Sequence, residues 1–214
     1  MILMLNCSYK VKSSNTDYFF SLLQEEVAKN SERECKTIYI KDVLKDIENG
    51  SLDEFVQELR RAKAFVIGTP LYVDGLPAQA VKLLELLLER YKGKIQRLPV
   101  YVISNLGFYE AEQLRHLLAI VENWCNRMGM AYGGGVAVGA GPMIRVLNDM
   151  PAKKMMLKDT SRGVKWLASA IVNRKKMQNY YVQTIVPRSV YVKAAHKSFD
   201  QTAIENGLQL EDVR

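Results

Sequence analysis

Short apolar runs alternate with longer amphipathic segments over the first 139 residues of the chain. Five of these runs are typical of buried strands, namely Met1–Leu5, Cys35–Ile40, Ala64–Pro70, Pro99–Ser104 and Gly133–Gly139. The third run is almost wholly apolar, as expected for a strand that is covered on both faces of a parallel sheet. Between the runs, apolar residues recur at helical spacing in four segments, which begin near Tyr18, Leu52, Pro77 and Glu110.

This alternation of strands and helices predicts repeated βαβ units with a parallel sheet and helices on both faces. The pattern loosens after Pro151, where we expect a helix over Met155–Lys175, a β-branched stretch over Tyr180–Val192 and a short helix over Ala194–Gly207. Lys41–Ser51 is polar and is expected to connect two elements. We therefore predict one α/β domain over residues 1–177, with a C-terminal extension over 178–214 that packs on the domain or on a second subunit.

Charge is distributed unevenly along the 214 residues. The net charge is +7, but Pro151–Lys197 contains 11 Lys or Arg residues against a single acid, Asp159, and so carries +10. A solvated basic face is the simplest explanation, although nucleic acid, an anionic membrane surface or an anionic cosubstrate would each be attracted to it. The bulk composition, 48% hydrophobic and 25% charged, is ordinary for a soluble globular chain.

The cysteines give no sign of a metal site or a disulfide framework. Cys7, Cys35 and Cys125 are far apart and odd in number, and no CxxC pair exists. A reducing, cytoplasmic location is the simplest inference. No apolar run approaches the ~20 residues that a membrane-spanning helix needs, so no transmembrane segment is predicted.

The loop after the first strand has the composition of an anion-binding site. Residues 6–16 include three serines, a threonine and two lysines, Lys10 and Lys12, and the next helix is expected to begin near Asn15 or Thr16. The free N–H groups and the dipole of a helix start suit a bound phosphate. Ser, Asn and Thr are also the usual helix-capping residues, so simple capping is the competing interpretation.

Two further loops follow the third and fourth strands. One carries Tyr72 and a turn at Gly75, and the other carries Gly107, Phe108 and Tyr109. In an open parallel sheet, ligands bind outside the carboxyl ends of the strands where strand order reverses, so these loops should converge on the first one. A phosphate at one end and a stacked flat ring at the other describe a mononucleotide. Aromatic residues in loops also commonly cover the core, and this alternative stays open.

These residues carry a resemblance to a known family. Ser8–Thr16 resembles the phosphate loop of the flavodoxin-like NADPH-dependent FMN reductases, and Gly68–Gln79 resembles their second flavin loop. Asn105–Glu110, with Trp124-Cys125 and Gly139–Met143, resembles related NAD(P)H oxidoreductases. The resemblance implies a flavodoxin-like three-layer sandwich with a five-stranded sheet of order 2-1-3-4-5. It further implies FMN as cofactor, NADH or NADPH as cosubstrate, a small-molecule electron acceptor and a homodimer. We predict no nucleic acid partner and no metal.

The resemblance also implies the cofactor-binding residues. The phosphate would be held by Ser8, Lys10, Ser13, Ser14, Asn15 and Thr16. The ring would be bordered by Pro70, Leu71, Tyr72, Val73, Asp74 and Gly75 on one side and by Asn105, Gly107, Phe108 and Tyr109 on the other. One departure is Cys7, where the family usually has glycine. The lack of cysteines over residues 42–52 disfavours the iron–sulfur relatives.

The expected reaction is hydride transfer from NADH or NADPH to the flavin, followed by transfer of electrons to an acceptor. It needs no catalytic acid or base, because the flavin carries the chemistry. Arg145 and the basic residues past Pro151 are candidates for attracting the phosphates of the nicotinamide nucleotide. The main alternative is a non-enzymatic FMN electron carrier. A phospho-receiver domain is disfavoured, because Gly68-Thr69-Pro70 stands where its acceptor aspartate would end the third strand.

Overall fold

The computed structural model describes residues 1–10, 13–49, 51–95, 97–148, 150–151 and 153–212. A single parallel sheet of six strands, in the order β2-β1-β3-β4-β5-β6, forms its centre. The strands are β1 Ile2–Asn6, β2 Cys35–Tyr39, β3 Ala64–Pro70, β4 Pro99–Asn105, β5 Ala131–Val138 and β6 Tyr180–Val182. The predicted order 2-1-3-4-5 is confirmed, with one strand added beyond β5.

Nine helices are defined over the described residues. They are α1 Asn15–Asn30, α2 Ile40–Glu48, α3 Asp53–Arg61, α4 Ala78–Tyr91, α5 Arg115–Met128, α6 Gly141–Leu147, α7 Lys153–Met156, α8 Lys158–Asn173 and α9 Arg188–Glu205. Two 3₁₀ turns lie at Ala111–Leu114 and Leu210–Asp212. No helix in this part of the chain is long and apolar enough to cross a membrane.

The sheet has a separate hydrophobic core on each face, because alternate strand residues point to opposite sides. One core packs α2 to α5 against residues such as Leu5, Phe65 and Val102. The other packs α1, α6 and α8 against residues such as Met4 and Ile103. Helices therefore cover both faces of the sheet, as the predicted three-layer α/β sandwich requires.

Three sequence-based expectations need correction. Tyr180–Val182 pairs in parallel with Val136–Val138, so the sheet has six strands rather than five. A strand of three residues inside a segment broken by Pro187 gives almost no periodic signal. The stretch expected to be a polar connection contains α2, whose apolar residues Ile40, Val43, Leu44 and Ile47 have helical spacing among charged neighbours.

The third correction concerns the end of the chain. The last α-helix, α9, spans Arg188–Glu205. It begins six residues before the predicted start at Ala194. Pro187 is the N-cap residue and has extended backbone, with ψ of 141°, directly before the first helical residue. None of the residues of α9 is buried. This long helix therefore contributes almost nothing to the two cores.

Candidate functional site

The parallel register brings the predicted loops to one edge of the sheet. Asn6 at the end of β1 pairs with Gly68 of β3, and Pro70 at the end of β3 pairs with Asn105 at the end of β4. Asn105 in turn pairs with Val138 at the end of β5. We call this edge the carboxyl rim. It carries the first loop (described over residues 7–10 and 13–14), the second loop (residues 71–76) and the third loop (residues 106–110).

The first loop is folded around the buried side chain of Asn6. Its Oδ1 accepts a hydrogen bond from the Ser8 backbone N–H at 2.9 Å, and its Nδ2 donates to Ser14 Oγ at 3.4 Å. Ser14 caps α1, because its hydroxyl oxygen accepts from the Asp17 N–H at 3.0 Å. The helix begins at Asn15, as predicted. Capping thus accounts for Ser14, and the start of α1 is held at the rim.

The side chain and backbone of Asn105, which directly precedes the third loop, connect the start of α1 to the second loop. Its Nδ2 donates to Thr16 Oγ1 at 3.0 Å, and its backbone carbonyl accepts from the Leu71 N–H at 2.9 Å. Both Asn105 and Thr16 are buried. A Cβ at Gly141, the first residue of α6, would lie only 3.3 Å from Asn105 Oδ1, so α6 also packs tightly on this side chain. The predicted residues Thr16, Leu71 and Asn105 are therefore directly joined.

The second loop is a tight hairpin turn. Tyr72 and Gly75 exchange backbone hydrogen bonds of 3.0 and 3.1 Å, and the two residues between them, Val73 and Asp74, have φ of 47° and 57°. Left-handed backbone at both central positions is typical of a type I′ turn, which favours Asn and Gly. A β-branched residue there is a genuine outlier. Val73 is also fully exposed at the tip, so the turn holds an apolar side chain out into solvent.

The third loop exposes one aromatic ring and attaches the other to the extension. Phe108 is 63% exposed. Tyr109 donates its hydroxyl hydrogen to the carbonyl of Val186 at 2.8 Å, and its ring lies 5.7 Å from that of Tyr191. The Tyr191 hydroxyl hydrogen-bonds the Gly107 carbonyl. Tyr109 and the Gly107 carbonyl are thus partly occupied by the C-terminal extension, which sequence reasoning did not foresee.

Positive charge lies beside the start of α1. Arg145 of α6 donates from its guanidinium to the carbonyl of Ser13 at 2.8 Å, and Lys10 is exposed in the same loop. Asp17 is engaged elsewhere, because its carboxylate accepts from the Tyr39 hydroxyl at 2.9 Å. Lys12, also predicted near the phosphate, falls outside the described residues. Arg145 was expected to attract a nicotinamide nucleotide, yet it lies against the first loop itself.

The remaining candidate residues differ in exposure. Ser8 and Pro70 are buried, Asn15 and Gly75 are half-buried, and Ser13, Tyr72, Asp74 and Gly107 are exposed. The Tyr72 ring is 44% exposed, and a Cβ at Gly107 would meet no atom within 4 Å. The rim therefore combines hydroxyls and cations at the first loop with exposed aromatic and apolar side chains at the second and third loops.

Cys7 and the two histidines have no catalytic setting. Cys7 is buried, its backbone N–H donates to the Gly68 carbonyl at 2.8 Å, and desolvation raises the pKa of its thiol to about 12. A thiol is a nucleophile only as thiolate, so Cys7 is inert near neutral pH. His116 and His196 are both exposed on helices. None of these three side chains is therefore a candidate for catalysis at the rim.

The groups at the rim fit FMN. A flavin mononucleotide has a phosphate at one end and a flat ring with hydrogen-bonding edges at the other, and the rim offers a helix start with cations, then Tyr72, Val73 and Phe108. The fold and this site define the protein as a flavodoxin-like, nucleotide-binding α/β protein. A family model for NADPH-dependent FMN reductase matches residues 1–141. The chain belongs to that family, and it is an oxidoreductase that uses FMN with NAD(P)H as cosubstrate.

Solved structures agree on the fold. An oxidoreductase from Corynebacterium diphtheriae superimposes with a TM-score of 0.57 at 16% identity, covering 80% of this chain and 97% of the other. An azoreductase from Bacillus anthracis str. Sterne superimposes with a TM-score of 0.54 at 11% identity, covering 80% of this chain and 98% of the other. Megasphaera elsdenii flavodoxin superimposes with a TM-score of 0.53 at 15% identity, covering 81% of this chain and 99% of the other. Among curated proteins, none matches the sequence significantly.

Proposed function

We propose that the protein takes a hydride from NADH or NADPH and passes electrons to a small-molecule acceptor such as free flavin or a quinone. The observation that carries this proposal is the junction at Asn105, which ties the start of α1 to the second loop within one rim. Membership of the reductase family favours turnover with NAD(P)H over the alternative of a passive electron carrier.

The phosphate end of the cofactor would be held by the first loop. The hydroxyls of Ser8, Ser13, Ser14 and Thr16, the N–H groups at the start of α1 and the charge of Lys10 are the donors that we assign to it, with Asn15 at the first helical position. Arg145 adds a guanidinium that is already oriented by the Ser13 carbonyl. Dianionic phosphate is stabilised by a helix start and by charge-assisted hydrogen bonds. This donor set is why we place the phosphate here.

The ring end would lie between the second and third loops. We assign Pro70, Leu71, Tyr72, Val73, Asp74 and Gly75 to one side of the ring, and Asn105, Gly107, Phe108 and Tyr109 to the other. The exposed aromatic rings offer stacking surfaces of the kind that flat heterocycles use. Open space at Gly107 leaves room for a ring edge to approach the backbone.

When bound, FMN supplies the redox chemistry, accepting a hydride and releasing two electrons to the acceptor. The chain's own contribution is to bind and orient. Asn105 fixes the spacing between the loops, and the hairpin at Val73 presents backbone groups and an apolar tip to the ring region. Around the rim, the described residues provide hydrogen-bond donors and cations rather than a paired acid and base.

The direct test is whether purified protein is yellow and releases FMN on denaturation. Added FMN should restore colour to stripped protein, and NADH or NADPH should then be oxidised when a quinone is supplied. Replacing both Ser13 and Thr16 with Ala should weaken FMN affinity sharply. Protein that takes up no FMN would overturn the assignment, whereas FMN binding without NAD(P)H oxidation would favour the electron carrier.

We also propose that the protein forms a homodimer. A groove of about 280 Å³ between α4 and α5 is lined mostly by apolar side chains, including Leu76 at the end of the second loop and the exposed Val81 and Ile120, with Glu85, Asn123 and Arg127 as its polar members. A second copy seated there would cover apolar surface and lie beside the open rim. Light scattering of wild type and Ile120→Glu tests this, because the charge should yield a monomer. The three free cysteines fit the reducing cytoplasm that we propose as its location.

A further inference from the structure

A cavity of about 320 Å³ lies at the opposite edge of the sheet from the carboxyl rim. Its walls come from the residues that precede β3 and β4 and from the residue that follows α8. The charged residues among them are Arg60, Lys63, Lys94, Arg97 and Arg174. We call it the basic cavity. β3 has seven residues, so about 20 Å separates the cavity from the candidate flavin site.

The charges around this cavity are all of one sign. Five lining residues are cationic and none is acidic, and none of the five takes part in an ion pair among the described residues. The nearest acid along α3, Glu58, is engaged with Lys36 at 3.1 Å and with Arg61 at 3.6 Å. Like charges gathered around one concave surface repel each other and focus a positive potential on it. Among the described residues, none of the five cations therefore has a carboxylate partner within 4 Å.

Two of the five cations are held in an unfavourable backbone conformation. Arg97 has φ of 58° and Arg174 has φ of 52°, and the left-handed region costs an L-residue other than glycine about 1–2 kcal/mol. Of the five such residues in the described chain, the other three, Val73, Asp74 and Ala140, lie at the carboxyl rim. Backbone strain tends to collect at functional sites. The basic cavity is the second place in this fold where it collects.

A purely structural explanation covers part of the cluster. Helices that follow parallel strands end at this edge, and cations near helix C-termini interact favourably with the dipole. Lys94 does this, since its Nζ donates to the Arg90 carbonyl at 2.9 Å after the end of α4. Arg174 likewise terminates α8. Lys63 and Arg97 sit just before strands, however, and helix capping does not account for their convergence on the same cavity.

We propose that the basic cavity binds a compact anion of phosphate chemistry with two or more negative charges, such as pyrophosphate or the phosphate tail of a nucleotide. Guanidinium groups donate paired hydrogen bonds to phosphate oxygens, and Arg60, Arg97 and Arg174 provide three of them. The volume is at the lower end of the range for ligand pockets, which suits a small ligand. The proposal is independent of the redox reaction.

Calorimetric titration with inorganic pyrophosphate tests this proposal, with one equivalent of FMN bound so that the first loop is occupied and no free FMN competes for the basic cavity. We expect saturable binding of one equivalent that weakens with salt. The double variant Arg97→Gln/Arg174→Gln should raise the Kd at least about tenfold, because two charge-assisted contacts are lost. The matched control Lys165→Gln/Lys193→Gln removes the same charge from exposed positions and should change the Kd little. FMN affinity should stay the same in both variants.

Four outcomes would overturn the proposal. They are no saturable binding at millimolar pyrophosphate, an equal loss of affinity in the control variant, binding only to long polyanions such as RNA, and a variant that loses thermal stability yet keeps pyrophosphate affinity. Loss of thermal stability with unchanged pyrophosphate affinity would mean that the cations serve only to cap helices. If the double variant does not fold, Lys63→Gln provides the same comparison with a milder change. Parallel titration with ATP distinguishes inorganic phosphate from a nucleotide as the source.

Discussion

The hairpin tip of the second loop gives the most direct test of how this site is built. Val73 and Asp74 both have left-handed backbone, and Val73 is fully exposed with no packing to compensate. Replacing Val73 by Asn relieves most of this strain, because Asn tolerates the left-handed region and is favoured in type I′ turns. We expect the free energy of unfolding of the FMN-free protein to rise by about 1 kcal/mol. For a chain of this length, that raises the Tm by about 2–4 °C.

The same change should weaken cofactor binding. If the ring covers Val73, losing roughly half of the burial energy of its side chain amounts to about 1 kcal/mol, or about a fivefold rise in the Kd for FMN. Calorimetric unfolding of stripped protein and quenching of flavin fluorescence measure the two quantities separately. Stability and affinity should therefore move in opposite directions.

Asp74→Gly is the matched control for Val73→Asn. Asp tolerates the left-handed region and glycine adds unfolded-state entropy, so we expect little net change in Tm from this variant. An unchanged or lower Tm for Val73→Asn would refute the strain argument. An unchanged Kd for FMN would instead mean that Val73 does not touch the ring.

Three other predictions follow from the described contacts. Arg145→Gln should weaken FMN binding and reduce the salt dependence of that binding, because the guanidinium on the Ser13 carbonyl is lost. Fluorescence titration at two ionic strengths measures both effects, and a salt dependence equal to that of wild type would contradict the prediction. Tyr101→Phe should lower the free energy of unfolding by about 1–3 kcal/mol in urea, because it removes the donor shared by the carbonyls of Ala170 and Lys175. Burial raises the pKa of Tyr101 to about 12, so the folded state keeps this proton at higher pH than the unfolded chain does. The contribution of Tyr101 to the free energy of unfolding is therefore complete below pH ~10 and is lost as the pH rises toward 12. The free energy of unfolding of the Phe variant should fall less steeply over this range. Cys7, whose pKa burial raises to about 12, should resist iodoacetamide in the folded protein at pH ~8 and react after unfolding, as followed by mass spectrometry.

The parallel sheet was predictable because its strands are short apolar runs that end in turn residues. β3 is buried along its whole length, which gives it a strong signal. β6 was missed because its three residues pair only through the tertiary position of β5. α2 was missed because charged residues at its exposed positions hide Ile40 and Val43 in a segment that is polar overall. In both cases the secondary structure depends more on the element that the segment packs against than on the composition of the segment itself.

The candidate site was predictable to the level of loops but not of contacts. Ser14 and Thr16 stood out by type and by position before a helix. The link from Asn105 to Thr16 spans 89 positions in the chain, so no local pattern could show it. The contacts of Tyr109 and Tyr191 were equally hidden, because they depend on where the extension returns to the rim. Residue type indicated the chemistry, and only the fold showed the partners.

The carboxyl rim is organised before any ligand arrives. Asn6 holds Ser14, Ser14 caps α1, and Asn105 joins Thr16 to the second loop, so each buried polar side chain satisfies another. A hydroxyl that already accepts a hydrogen bond still has its own hydrogen to donate. If Thr16 and Ser14 hold the phosphate as we propose, they can donate to it without breaking the contacts that position them. Less ordering is then needed on binding, and that saving favours affinity. The left-handed turn at Val73 and the close packing of Gly141 on Asn105 likewise fix the positions of the second loop and of Asn105 within the fold. The protein thus supplies the geometry of the rim, and the cofactor supplies the redox chemistry.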